Sequence, residues 1–206
     1  MVDEDRRLKA LIEESRKAAE TILEHVEKGD RISVFSHIDA DGITAAGILG
    51  VALSRIEANF RIRIVRWFDE KIAAEIAAER DSLLVLTDMG SGYLEILNEI
   101  MKGRPLIILD HHQPDVKAEE SFIHVNPQRF GIDGARDLSG AGTAYLTARA
   151  ISERNRDLAY LAIVGALGDL QDKYEGRSLG GINTCLLYTS DAADELDGVD
   201  LGGRRI

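Results

Sequence analysis

Four fragments of this chain carry acids and histidines at spacings that can do chemistry. They are S-H-I-D-A-D-G at 36–42, T-D-M-G at 87–90, L-D-H-H at 109–112 and G-D-L-Q-D at 168–172. His37, Asp39 and Asp41 are two apart, so in an extended segment their side chains emerge on one side of a strand end. Gly42 behind them allows a tight turn into a helix. Asp88 stands alone opposite that cluster, placed to bridge two ions. Asp110, His111 and His112 are consecutive, and adjacent side chains diverge. One imidazole can therefore bind metal while the other faces substrate, with Asp110 orienting a ring. Asp169 ends an apolar run, where a carboxylate opposes the helix dipole and a nearby cation removes the conflict.

Carboxylates gathered this closely repel one another unless cations sit among them. Oxygen and imidazole ligands without thiolates favour Mn²⁺ or Mg²⁺, with zinc as a further option. A pair of such ions clamps the attacking and leaving oxygens of a displacement at phosphorus. Phosphate ester hydrolysis is the reaction these residues suit best. The segment L-S-G-A-G-T-A-Y at 138–145 offers Ser139 as a helix N-cap, with Gly140 next to it. Free N–H groups there could hold a phosphate oxygen. Arg129 and Arg136 in the preceding loop could meet the same phosphate or be solvated.

Positioning such a site requires strands that end together. R-I-S-V-F-S, S-L-L-V-L and P-L-I-I-L are buried-strand patterns, and each runs directly into one of the first three fragments. Strands are expected at 31–37, 59–66, 82–87, 105–109 and 121–125, the second a half-exposed edge. Helices are expected at 8–26, 43–56, 71–80, 93–101, 142–153 and 156–167. Alternating strands and helices imply a five-stranded parallel sheet with helices on both faces, an α/β fold. In such a sheet the residues past the carboxyl ends of the strands share one crevice.

Composition sets the bounds. The 206 residues are 45% hydrophobic and 5% aromatic, enough for one α/β domain and part of another. No apolar stretch approaches a membrane span, and M-V-D-E-D-R-R lacks a signal-peptide core. Cys185 is the only cysteine, which excludes an internal disulfide and makes the reducing cytoplasm the natural home. A net charge of −11 argues against a broad basic surface for duplex nucleic acid. A narrow cationic groove beside two divalent ions remains compatible with it. From Thr184 the text changes to T-C-L-L-Y-T-S-D-A-A-D-E-L-D-G-V-D-L-G-G-R-R-I, without a useful helical or strand period. Residues 184–206 read as translated sequencing-adapter read-through, outside the fold.

H-I-D-A-D-G, T-D-M-G, L-D-H-H and G-D, in this order and spacing, resemble the DHH phosphoesterase superfamily. The surrounding S-H-I-D-A-D-G-I-T-A-A and L-A-I-V-G-A-L-G-D-L-Q-D look most like archaeal RecJ-like exonucleases, including the GINS-associated nuclease. The resemblance covers roughly 1–184: an N-terminal helix over 1–30 and a DHH catalytic domain over 31–183. It implies one Mn²⁺ on His37, Asp39 and Asp88 and a second on Asp41, Asp88, His111 and Asp169, with Asp88 bridging. His112 would contact the scissile phosphate. A DHH-associated C-terminal domain, which in the family closes the cleft and supplies further substrate contacts, is expected to be missing from this chain.

The implied activity is Mn²⁺-dependent hydrolysis of single-stranded DNA or RNA by an exonuclease. Three alternatives stay open: a nanoRNase or cyclic-dinucleotide phosphodiesterase, a non-catalytic scaffold that binds GINS in the replisome, and a metal-dependent pyrophosphatase. The H-x-D spacing at 37–39 disfavours the pyrophosphatase, and the intact ligand positions disfavour the scaffold.

Overall fold

The computed structural model describes residues 2–79, 82–115 and 122–196. The strands are β1 (Arg31–His37), β2 (Phe60–Val65), β3 (Ser82–Thr87), β4 (Leu106–Leu109) and β5 (Ile123–Val125). They form one sheet in the order β2-β1-β3-β4-β5, and every pairing is parallel. The helices are α1 (Val2–Glu27), α2 (Ala40–Arg55), α3 (Glu70–Ala78), α4 (Leu94–Met101), α5 (Gly140–Ile151), α6 (Ala159–Gly168) and α7 (Gly181–Leu196). The α/β class and the five parallel strands are as the sequence implied. Ser121 and Arg80, at the ends of an expected strand and helix, lie outside the described residues.

The central strands are apolar on both faces because both faces are covered. Ile32, Val34, Leu83, Val85, Ile107 and Leu109 join the core built with α1, α2 and α5. Their alternates Phe35, Leu84, Leu86, Leu106 and Ile108 join a second core with α3 and α4. β2 is the edge strand, and four of its six residues are exposed. Among the described residues no helix is long and apolar enough to cross a membrane.

One expectation is corrected at the end of the chain. The stretch from Thr184, read as lacking a helical period, continues α7 through Leu196. Ile182 and Leu186 face the main core, and Leu186 is 4% exposed. Apolar residues four apart make a single inward stripe, too short to register as a period against the polar text that follows. Leu186→Ala should therefore lower stability by about 2–5 kcal/mol, the usual range for a buried leucine. Urea unfolding would measure it. An unchanged midpoint would support the reading of residues 184–206 as read-through.

Candidate metal centre

The strand order places a switch point at β1. The chain leaves β1 for β2 on one side, then returns to β3 on the other. Connections depart in opposite directions there, so a crevice opens beyond the carboxyl ends of β1 and β3. His37 is the last residue of β1, and Asp88 directly follows β3. Asp110, His111 and His112 follow β4, and Asp169 caps the carboxyl end of α6.

Two clusters result, with Asp88 common to the pair. On one side, His37 Nδ1 lies 2.8 Å from Asp39 Oδ2 and 3.7 Å from Asp88 Oδ2. On the other, His111 Nε2 lies 3.2 Å from Asp88 Oδ1, 3.5 Å from Asp41 Oδ2 and 3.5 Å from Asp169 Oδ2. In each of the trios His37–Asp39–Asp88 and Asp41–His111–Asp169, the candidate ligand atoms fall within 4.8 Å of one another. A third such group joins Asp88, Asp110, His111 and His112. Asp88 itself adopts φ 55°, the left-handed region that an aspartate tolerates better than most residues. Backbone strain of that kind is characteristic of functional sites.

The extended-strand placement of Asp41 needs correction. Asp39, not Asp41, caps α2, accepting from the Gly42 N–H at 2.8 Å. The chain is therefore helical from Ala40, and Asp41 in the first turn leaves the side shared by His37 and Asp39. A Cβ on Gly42 would collide with the carbonyl of His37, which is why glycine sits at this turn.

Whether these residues suit a cation can be judged from their partners. Both carboxylate oxygens of Asp88, His37 Nδ1 and His111 Nε2 are buried with no hydrogen bond. Buried polar atoms are almost always satisfied. Four orphans facing one another are the donor set that a pair of divalent ions would satisfy. Oxygen and imidazole donors without sulfur match Mn²⁺ or Mg²⁺.

The surroundings fix the rings. His111 Nδ1 donates to the Gly134 carbonyl at 2.6 Å, which leaves Nε2 to face the acids. Gln171 Nε2 also donates to that carbonyl, at 2.9 Å. His112 Nδ1 sits 2.7 Å from Asp110 Oδ1, and its side chain is half exposed at the crevice. Asp110 is fully buried and also accepts from the N–H groups of Ser91, His111 and His112. Asn126 Nδ2 donates to Ser91 Oγ and to the His112 carbonyl, and Ser91 Oγ meets His124 Nε2 at 2.8 Å. Ser91, His124, Asn126, Gly134 and Gln171 were missed in the sequence. They lie 14 to 37 positions from the groups they hold, and no local pattern marks them.

The amino end of α5 keeps its expected cap but not its expected free N–H groups. Ser139 is its N-cap, accepting from the Gly142 N–H at 3.2 Å. The N–H groups of Gly140 and Ala141 are not free for a phosphate, because they donate to Asp41 Oδ2 and Oδ1 at 2.6 and 2.9 Å. A helix amino terminus attracts an anion, and here the anion is internal. A Cβ at Gly140 would approach Asp88 Oδ1 to 2.7 Å, so glycine is required for this close packing. Arg136 lies with its guanidinium 4.5 Å from the Tyr174 ring centroid, and Arg129 donates to the His124 carbonyl.

Charge explains the rest. Burial first, then the neighbouring charge of Asp88, pushes the Asp41 carboxyl up to about 7. The adjoining Asp88 raises His37 to about 9. Against the opposing effect of burial, Asp88 and Asp41 raise His111 to about 10. Protonated imidazoles thus serve as substitute cations in the metal-free chain. Metal ligands must be deprotonated, so binding Mn²⁺ at about pH 8 should release about two protons per chain. Calorimetric titration in buffers of different ionisation enthalpy reads that number. Zero release would mean that neither histidine is displaced from its proton.

Known proteins share this sequence pattern and fold. Residues 31–166 match the DHH family, N-terminal domain. The chain is 37% identical over 172 residues to an uncharacterized protein, MJ0831, of Methanocaldococcus jannaschii, covering 80% of this chain and 38% of that protein. It is 26% identical over 166 residues to the single-stranded-DNA-specific exonuclease RecJ of Bacillus subtilis, covering 75% of this chain and 21% of RecJ. The structure of RecJ in complex with Mn²⁺ from Thermus thermophilus superposes with a TM-score of 0.70. Identity is 28%, over 87% of this chain and 26% of RecJ. The chain thus spans well under half the length of these relatives. With a family match over more than half of its residues, and the family's Asp-His-His triplet at the end of β4, this chain belongs to the DHH family.

Proposed function

We propose that this chain is the metal-binding domain of a phosphodiesterase that hydrolyses single-stranded nucleic acid. His37, Asp39 and Asp88 would hold one Mn²⁺, and Asp41, Asp88, His111 and Asp169 a second. The observation that carries this reading is Asp88: both of its oxygens are buried, without a hydrogen bond, and turned toward opposite clusters. Mn²⁺ bound in RecJ from Thermus thermophilus supports the choice of metal. Two such ions supply charge neutralisation and a water of lowered pKa.

The chain's own residues do the remaining work. His112 faces the crevice with Nε2 available to a phosphate oxygen, because Asp110 engages Nδ1. Against burial, the hydrogen bond and charge of the His112 ring, then the charge of His111 and the Ser91 N–H, hold Asp110 far below the usual carboxylate range, so it remains an acceptor for the His112 N–H. A ring so oriented donates to charge that grows on the phosphate. Gly134 and Gln171 keep the His111 ring in the orientation that presents Nε2.

The test is digestion of end-labelled single strands by the full chain with Mn²⁺, using strands blocked at either end in turn. Mononucleotide release that stops with chelator supports the reading. Hydrolysis confined to pyrophosphate or cyclic dinucleotides, with single strands intact, would overturn it.

A further inference from the structure

The segment that leaves β2 crosses the carboxyl end of β1 beside the metal centre. Phe68 stacks on Tyr93, beyond β3, with ring centroids 4.6 Å apart and planes at 25°. That contact ties the segment over β1, which lies between β2 and β3. Trp67, the chain's single tryptophan, is 66% exposed. Its ring centroid lies 6.5 Å from that of His37. The Arg66 guanidinium stands 5.7 Å from the Trp67 ring centroid.

Neither residue is explained by the fold. An indole is the largest apolar side chain, and leaving it in water forgoes substantial burial. Arg61 and Arg63 of the same strand pair with Glu79 and Glu75, but Arg66 makes no ion pair with any described residue. A chain of net charge −11 thus keeps an exposed indole next to its acidic site, with a guanidinium over the ring that makes no ion pair among the described residues. A flat ring bordered by a guanidinium suits a ligand with a π-face and a phosphate one link apart, which is a nucleotide.

We infer that Trp67 and Arg66 form a stacking shelf that holds a nucleobase beside the scissile phosphate, Trp67 against the base and Arg66 against the adjoining phosphate. The inference rests on the proposed nucleic-acid hydrolysis and adds which residues grip the strand, on the β2 side of the crevice. His112 lies on the opposite side, after β4. Stacking on an aromatic tolerates any base, so the shelf favours single strands without selecting sequence.

Because Trp67 is the only tryptophan, its emission reports on the shelf alone. The experiment uses the full chain as His112→Ala in Mg²⁺, which keeps the strand intact. An oligothymidylate of about six nucleotides, within the usual site size, should quench Trp67 saturably, and an abasic strand of equal length should not. Anisotropy of a labelled strand should show Trp67→Ala binding oligothymidylate about tenfold more weakly, with Trp67→Phe restoring most of the loss. Arg66→Ala should weaken both strands alike. Saturable binding with unchanged Trp67 emission, or equal affinity for Trp67→Ala, sinks the shelf and leaves the nucleic-acid reading standing. If neither strand binds, both fail. If Trp67 in the free chain is shielded from acrylamide, protein covers the shelf and the inference is overturned.

Discussion

Asp88→Asn should strip the chain of both ions and, in their absence, raise its melting point. The two effects have one origin. Asp88 is 2% exposed and its carboxylate oxygens find no hydrogen bond. Without a metal, the buried Asp88 charge is offset by the protonated rings of His37 and His111, and a buried carboxylate without hydrogen bonds lowers stability by about 1–3 kcal/mol. Around it lie the carboxylates of Asp39, Asp41, Asp110 and Asp169, which outnumber His37, His111 and His112 even when every ring is protonated. Asparagine keeps the shape and tolerates the φ of 55° while removing the charge. For a chain of this size, each kcal/mol is about 2–4 °C in the midpoint. In EDTA the variant should therefore melt several degrees above the parent. In Mn²⁺ the order should reverse, because only the parent gains stability by binding. Hydrolysis should fall by about four powers of ten or more, since the ions contribute several kcal/mol to the barrier. Elemental analysis and thermal unfolding in the two buffers test it. A variant that keeps one ion, or melts lower in EDTA, would falsify the bridging role.

The parts of this architecture that were legible in the sequence are those set by local pattern. Arg31–His37 and Ser82–Thr87 are strands over the expected residues, the second a continuous apolar run and the first Ile, Val and Phe set among small serines, each closed by polar text. Helix starts shifted where a cap outranked a glycine. Asp39 starts α2 at Ala40 rather than after Gly42, and Ser139 starts α5 at Gly140. The helix expected from Arg156 begins at Ala159, since residues Glu153–Leu158 wind as 3-10 turns behind a Ser152 cap. In each case the deciding hydrogen bond is a side chain to an N–H two or three residues on.

What could not be read locally is who partners whom across the chain. The glycines at the start of α5 looked like a cradle for an external phosphate. They instead receive Asp41, 99 residues away, and that choice is made only when α2 and α5 pack. The same holds for Gly134, which sets the orientation of His111 from a loop with no pattern of its own. The acids and histidines were visible as types, and the switch in strand order explains why they meet. The buried scaffolding from Ser91, His124 and Asn126 was visible in neither way.

His112→Ala should leave metal content near normal while turnover collapses by about two to four powers of ten. The reason lies in the two consecutive rings, whose centroids are 4.4 Å apart and whose planes are tilted by 52°. His111 is 4% exposed and points Nε2 at Asp88, Asp41 and Asp169. His112 is half exposed, and its nearest carboxylate is Asp110, at 2.7 Å through Nδ1. Its distance to Asp88 Oδ1 is 3.9 Å from that same nitrogen, which Asp110 already occupies. The ring is therefore supported by one acid and turned toward substrate, with little to offer an ion. His111→Ala, by contrast, should lose metal and activity together. Asp110→Asn should resemble His112→Ala in rate and in retained metal, because it removes the carboxylate charge that supports the His112 ring and one of the two oxygens that accept from Ser91, His111 and His112. Combining the two changes should then add little to either alone, as expected of residues that act as a unit. Mn²⁺ content by elemental analysis beside single-turnover rates separates these outcomes. Equal metal loss in the His111 and His112 variants, or strictly additive rate losses at Asp110 and His112, would show that the two histidines do not divide the work this way.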